Sequence, residues 1–402
     1  MKRQHLVSVL FALLLVAGAL AGGLVYARQQ EARYIHVMAT QVIDQMTIGE
    51  AWQRAAFQQP DLLVIYGSSE LLKETGPYQA LKFFHTYPTG FDTVEIARGG
   101  INSLNLAQDL AAVGPDLRGK KVVISFTPTM FITTMTGEGS YDGNFSQIHA
   151  DEFIFNTQLN WELKQTAAKR MVQYPKTLLK DPILQFALER LIKGTALDRF
   201  MYYVDLPLGK LEIEVERLQD HWEVLNYIWT HPHMNPIMPH QPASIDWKDL
   251  AVKAEEAYKQ ESNNNSYGII NHIWTDKLSA IVARGSTKSS EKTFLRDMQI
   301  SQEWVDLDIL IKTLVELGAE PLVMSRPFNG AFWDSQGVTI KDRNVYYDKL
   351  DSIVAPYNIE LIEFKDHDED RNFNIDSSSH TSPKGWVYVD QALDAFYHQN
   401  FN

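Results

Sequence analysis

Residues Leu6 to Ala27 carry no charged side chain. At about 1.5 Å of rise per residue, a helix over this run is long enough to cross a bilayer core of roughly 30 Å. The chain therefore reads as two parts. Residues 1–27 form a cytoplasmic tip and a transmembrane anchor, and residues 28–402 fold in water. Lys2 and Arg3 precede the run, and basic residues tend to stay on the cytoplasmic side. That places the main domain of a single-pass membrane protein outside the cytoplasm. Ala19-Leu20-Ala21 and Val25-Tyr26-Ala27 supply the small residues of a signal-peptide cleavage point, so a removed leader is the alternative. The length of the run favours a retained anchor.

After the anchor, short apolar runs alternate with stretches of helical spacing. Leu62 to Tyr66, Val94 to Ala97, Val122 to Phe126, Pro321 to Arg326 and Ile359 to Phe364 read as buried strands. Leu104 to Val113, Glu303 to Leu317, Val345 to Ala355 and Gly385 to Tyr397 read as helices between and after them. Such alternation predicts an α/β fold with a parallel sheet covered by helices on both faces. From about 137 to 300 the rhythm breaks. Helical patterns at Trp161 to Tyr174 and Leu208 to Trp222 predict a helical insertion, with loops at Asn263-Asn264-Asn265-Ser266 and Gly285-Ser286-Thr287.

Composition removes several functions. With no cysteine there is no disulfide, thiolate metal site or cysteine nucleophile, and a formal charge of -13 without a basic stripe excludes nucleic acid as a partner. No phosphate loop or dinucleotide fingerprint is present, so no cofactor is expected. His231, His233 and His240 lie among four prolines and read as a loop rather than a metal site. Trp222, Tyr227 and Trp229 read as packing within the insertion. The acidic run Asp366, Asp368, Glu369 and Asp370 reads as a solvated loop.

Two segments remain that can carry chemistry. Leu62 to Tyr66 runs directly into Gly67-Ser68-Ser69-Glu70, which places a serine pair where a strand ends and a helix begins. Functional loops of a parallel sheet lie at that end. Free N-H groups at a helix start stabilise an oxyanion beside such a serine, although a serine there also serves as an ordinary N-cap. Far along the chain, Asp376-Ser377-Ser378-Ser379-His380 precedes the last helix. Histidine is suited to accept a serine proton near neutral pH, and a carboxylate on its other nitrogen fixes the tautomer. A capped surface loop is the alternative.

Read together, these segments resemble the DltD family of D-alanyl-transfer proteins, membrane-anchored members of the SGNH-hydrolase group. The resemblance is carried by the anchor, by Tyr66-Gly67-Ser68-Ser69-Glu70-Leu71, and by Pro88-Thr89-Gly90-Phe91 with Arg98-Gly99-Gly100-Ile101-Asn102-Ser103-Leu104. It continues in Ile245-Asp246-Trp247, Asn263-Asn264-Asn265 with Tyr267-Gly268-Ile269, Arg326-Pro327-Phe328-Asn329-Gly330 with Trp333-Asp334, and His380 with Lys384-Gly385-Trp386. It implies an SGNH-like, flavodoxin-like sheet with Ser69 as nucleophile and His380 as general base. The N-H groups of Ser69 and Gly100 would form the oxyanion hole. After the central strand the family pattern resembles Ser-Pro-Gln-Trp, whereas this chain has Thr127-Pro128-Thr129-Met130, so Thr129 stands at the third oxyanion-side position. In the last block the pattern is Asp-x-x-His. Here Ser377 occupies the aspartate position and Asp376 precedes it. Asp376 is expected as the triad acid, brought back by a local bulge, with Asp366 and Asp368 as poorer alternatives.

The function so implied is D-alanyl transfer onto an anionic envelope polymer of the teichoic or lipoteichoic type. The implied partners are a D-alanyl donor and a membrane-embedded acyltransferase of the same pathway. Two alternatives stand beside it: hydrolysis by the same residues with water as acceptor, giving an esterase or thioesterase, and a non-catalytic SGNH-like scaffold for a membrane acyltransferase that makes no covalent intermediate.

Overall fold

The computed structural model describes residues 2–73, 76–132, 138–178, 181–231, 244–285 and 288–399. Five parallel strands, β1 (Leu62–Gly67), β2 (Asp92–Ala97), β3 (Lys121–Phe126), β4 (Glu320–Ser325) and β5 (Glu360–Glu363), form one sheet in the order β2-β1-β3-β4-β5. Each lies where an apolar run predicts a strand. The pleat sends alternate side chains to opposite faces. Leu63, Ile65, Val123, Leu322 and Met324 enter one core, while Val64, Tyr66, Val122, Ile124 and Val323 enter the other. Both faces are therefore apolar, and both are covered. Helices Ala51–Phe57, Ser103–Val113, Glu303–Leu317 and Ile340–Val354 pack on the second face; Ala80–Thr86, Trp247–Glu261 and Pro383–His398 pack on the first. The strand order reverses beside β1, with β2 on one side and β3 on the other. In sheets of this kind the carboxyl ends at such a reversal open the crevice that holds ligands.

Between β3 and β4 the described chain is helical. The helix expected at Leu208 to Trp222 is part of a much longer one, Ala196–Thr230, which continues through Pro207. Its start is fixed upstream of the proline by Thr195 and Asp198, whose side chains each bond the other's backbone N-H. Gly209 has no room for a side chain, because a Cβ there would stand 2.6 Å from the Phe155 ring. Helix Ile340–Val354 likewise starts earlier than its apolar spacing suggests, held by a capping box between Thr339 and Asp342. His233 and His240 of the proline-histidine segment lie outside the described residues. His231 is exposed and stacks on Tyr227.

The N-terminal run forms one helix, Lys2–Met38, and is a candidate membrane span with none of its most apolar stretch buried. Past Ala27 the same helix enters the fold. Ile35 and Met38 join the core, and buried Glu31 pairs with His221 Nδ1 at 2.5 Å. Anchor and domain thus share a continuous helix, not a flexible linker. Trp222 and Trp229 do not pack the insertion as expected. Their rings meet edge to face at 5.6 Å on the solvent side of the long helix.

Candidate active site

At the carboxyl end of β1 the chain turns sharply into a short helix, Ser69–Leu72. Gly67 makes the turn possible, since a Cβ there would lie 2.5 Å from Glu70 Oε1. The two serines then separate. The Ser68 hydroxyl donates to Arg98 O at 3.4 Å and accepts the Gly100 N-H at 3.2 Å, tying β1 to the loop after β2. Ser69 faces the other way, and its Oγ lies 2.9 Å from His380 Nε2. Ser69 is in the first turn of its helix, where backbone N-H groups have no intrahelical acceptor.

His380 comes from the loop before helix Pro383–His398. A single antiparallel bridge between Asn374 and Thr381 closes this loop, with Ile375 N donating to His380 O at 2.8 Å. Asp376 folds back within it. Its Oδ2 lies 2.5 Å from His380 Nδ1, and its Oδ1 accepts the Ser378 N-H at 2.8 Å and the His380 N-H at 3.3 Å. The extra residue between aspartate and histidine is absorbed at Ser379, which takes a left-handed conformation with φ of 64°. Non-glycine residues seldom adopt that region, and here burial of Ser379 and the bonds on either side hold it.

Two residues pin this loop from outside. The Trp333 indole donates to Ser377 O at 3.2 Å, and the Thr129 hydroxyl donates to Ser378 O at 3.3 Å while also meeting Thr127 Oγ1 at 3.1 Å. As placed, the Thr129 hydroxyl proton is directed at the loop and not at the space beside Ser69. Asn144 Nδ2 reaches Ser140 O at 2.8 Å and Gly99 O at 3.4 Å, bracing the glycine pair. Sequence reasoning assigned none of these supporting roles to Trp333 or Asn144. Trp333 lies in a block already singled out, but Asn144 gives no local signal.

Asp368, an alternative acid, is elsewhere. It is buried and bonded to Arg343 Nε at 2.6 Å, Phe328 N at 2.8 Å and Tyr347 OH at 3.1 Å. The acidic run is thus only partly solvated. Asp366 and Glu369 are exposed, but Asp368 is core, and Asp370 pairs with Lys384 at 2.7 Å. Desolvation raises the Asp370 carboxyl, but hydrogen bonds from His367 and Lys384 outweigh it and bring it down to about 2.

The DltD protein family model matches residues 39–398. The chain belongs to the DltD family. It is similar to Protein DltD of Bacillus subtilis, 27% identical over 99% of this chain and 98% of the relative. The counterpart in Staphylococcus aureus is 25% identical over 88% of this chain and 85% of its own. That of Lacticaseibacillus rhamnosus is 20% identical over 96% and 89%. The matched region takes in every strand of the sheet and both Ser69 and His380. DltD proteins take part in the D-alanylation of teichoic acids, and the apolar N-terminal helix fits a membrane-anchored member.

Behind the Ser69 turn, the chain buries an unusual set of charges. Glu70 Oε1 accepts the Ser68 N-H at 2.9 Å. Arg326, at the end of β4, lies over the Trp386 ring with its guanidinium carbon 4.9 Å from the centroid. Glu95 and Asp390 complete the group, and all four side chains are buried. Burial pushes Glu95 up to about 8 and raises Asp390, and it lowers Arg326 to about 10. Burial of Glu95 and Asp390 beside a single guanidinium favours proton uptake by these two acids. Glu95 therefore holds a proton in the folded state that it would release, when unfolded, near its ordinary 4.5. Its contribution is complete below pH 4.5 and is lost as pH rises through 8. In this window each such proton is worth about 1.4 kcal/mol per pH unit. Glu95→Gln should flatten the fall in stability between pH 5 and 8, measured by urea unfolding; an unchanged slope would mean that Glu95 is ionised in the fold.

Proposed function

We propose that this protein transfers D-alanyl groups through an acyl-ester on Ser69. The observation that carries the reading is the continuous hydrogen-bonded line from Ser69 Oγ through His380 to Asp376, with links of 2.9 and 2.5 Å. In the first half-reaction Ser69 Oγ attacks the carbonyl carbon of the D-alanyl donor, and its proton passes to His380 Nε2. Asp376 accepts the Nδ1-H and supports the imidazolium. The tetrahedral oxyanion is stabilised by the Ser69 N-H and by the Gly100 N-H, which exchanges its bond to the Ser68 hydroxyl for one to the oxyanion. Turning the Thr129 O-H away from Ser378 would add a third donor. Collapse expels the donor's leaving group, which takes the proton from His380. In the second half-reaction a hydroxyl of the teichoic-acid chain gives its proton to His380 and attacks the acyl-serine. The product is a D-alanyl ester, and Ser69 is regenerated.

In this reading the anchor at residues 1–27 keeps its tip in the cytoplasm, and residues 28–402, with the insertion at about 137–300, work outside. The donor is then handed on by a membrane-embedded acyltransferase, and the anionic polymer is the acceptor.

A serine-directed fluorophosphonate probe tests the mechanism on the full-length protein. Wild type should label at Ser69, and Ser377→Ala should label at the same rate, because Trp333 bonds the Ser377 carbonyl and not its side chain. Asp376→Asn should slow labelling by on the order of 10³–10⁴-fold through the wrong histidine tautomer. Equal rates for Asp376→Asn and wild type would remove Asp376 from the mechanism, and no label on Ser69 in any form would end the acyl-serine reading.

A further inference from the structure

The long helix Ala196–Thr230 has two apolar faces. One is ordinary: Tyr202, Ile213, Val224 and Ile228 are buried against the domain. The other faces outward. Leu197, Phe200, Val204, Leu208, Leu211, Val215, Leu218, Trp222 and Trp229 are all exposed, with Phe200 and Leu211 each at 62%. At 100° per residue these nine positions fall within an arc of about 80°, roughly opposite the buried face. Among the described residues, Tyr203 brings the exposed large apolar side chains of this helix to ten, against nine on all the rest of the chain outside the anchor helix. A surface helix ordinarily turns polar side chains to water there, so a stripe of this length marks an occupied face.

The place of the stripe suggests its occupant. Leu218 and His221 line a cavity of about 440 Å³ together with Leu24, Arg28 and Glu31 of the anchor helix. Arg28 is the first charge after the apolar run, the level at which the anchor leaves the hydrocarbon. Trp222, one residue from His221, and Trp229 have the amphipathic rings that collect at membrane interfaces. We propose that the outward stripe of this helix rests on the outer face of the bilayer, so that anchor and helix together hold the domain at a fixed height and orientation over the membrane. The helix carries seven acids against three bases, so the surface it suits is a zwitterionic lipid interface, entered by apolar side chains and insensitive to salt.

The proposal rests on the anchor lying in a bilayer, and the test reports on both separately. Because the chain has no cysteine, single probes can be placed without other changes. Full-length protein with an environment-sensitive fluorophore on Phe200→Cys, Leu208→Cys, Leu211→Cys or Val215→Cys is reconstituted into phosphatidylcholine vesicles containing shallow spin-labelled lipid. Leu14→Cys reports on the anchor and Val252→Cys on an exposed apolar position away from the stripe. The expected result is a blue shift and several-fold stronger quenching at the stripe than at Val252→Cys, unchanged in high salt. Quenching at Leu14→Cys with none at the stripe overturns the proposal alone. No quenching at either overturns it together with the anchor. Stripe probes shielded from water but not quenched by lipid, with disulfide cross-links between copies, would assign the face to self-association instead.

Discussion

Replacing Ser69 by alanine is expected to leave envelopes without ester-linked D-alanine. The assay compares cells that lack this protein and are complemented with wild type or with Ser69→Ala at equal expression, and measures the D-alanine released by mild alkali. Ser69 is half-buried at the end of β1, and its hydroxyl has His380 Nε2 as its partner; the substitution removes a small polar group from a cleft and leaves the fold intact. The loss should therefore be chemical. Removing the nucleophile of a serine-histidine pair costs on the order of 10⁶ in turnover, far beyond what accumulation over a cell generation recovers. Ser68→Ala is a demanding control. It deletes the neighbouring hydroxyl, which bonds Arg98 O and the Gly100 N-H, so it should lower the ester level through a looser Gly100 and not abolish it. If Ser69→Ala restores wild-type ester, the protein serves D-alanylation without an acyl-serine, as a scaffold. If Ser68→Ala is the variant that loses all ester, the nucleophile has been assigned to the wrong serine.

Much of this site was legible in the sequence because its parts obey local rules. β1 is buried along its whole length and the middles of β3 and β4 are buried too, so these strands read as apolar runs, and the serine pair follows β1 directly. What pairs with His380 was harder to read. Asp376 stands one residue from the familiar spacing, and its return depends on Ser379 adopting φ of 64°. Nothing in three consecutive serines announces which will do so; the choice is made by the Asn374-Thr381 bridge and by the bonds from Trp333 and Thr129. The same holds for the long helix. Pro207 argues for a boundary, yet the Thr195-Asp198 cap and the packing of Gly209 on Phe155 carry the helix through it. The outward stripe of that helix obeys the same 3.6-residue period as its core face. Periodicity alone therefore did not reveal that Trp222 and Trp229 face solvent.

Arg343→Met is expected to be the most destabilising of the substitutions considered, and its effect should reach the site. Arg343 is wholly buried, and each of its three guanidinium nitrogens donates a hydrogen bond. Nε bonds Asp368 at 2.6 Å, Nη1 bonds Asp334 at 2.6 Å and Val338 O at 2.7 Å, and Nη2 bonds Glu369 at 2.7 Å. Asp334 and Glu369 can turn to water, but Asp368 cannot. It is 4% exposed, and burial already raises its carboxyl against the opposing pull of Arg343. Methionine fills much of the volume yet leaves that charge without a counterion, a situation that costs about 3–5 kcal/mol. The damage spreads along a short path. Asp368 O accepts the Gly330 N-H at 2.8 Å, Gly330 begins the helix that carries Trp333, and Trp333 holds Ser377 in the loop of His380. Urea unfolding of Arg343→Met should show the loss, and fluorophosphonate labelling of Ser69 should slow at denaturant concentrations where the protein is still folded. Arg343→Met combined with Asp368→Asn removes the stranded charge and should recover a substantial part of the stability. If the double variant is no more stable than the single one, the cost lies in the lost hydrogen bonds to Val338 and Asp334, and the buried charge of Asp368 is not what Arg343 is there to compensate.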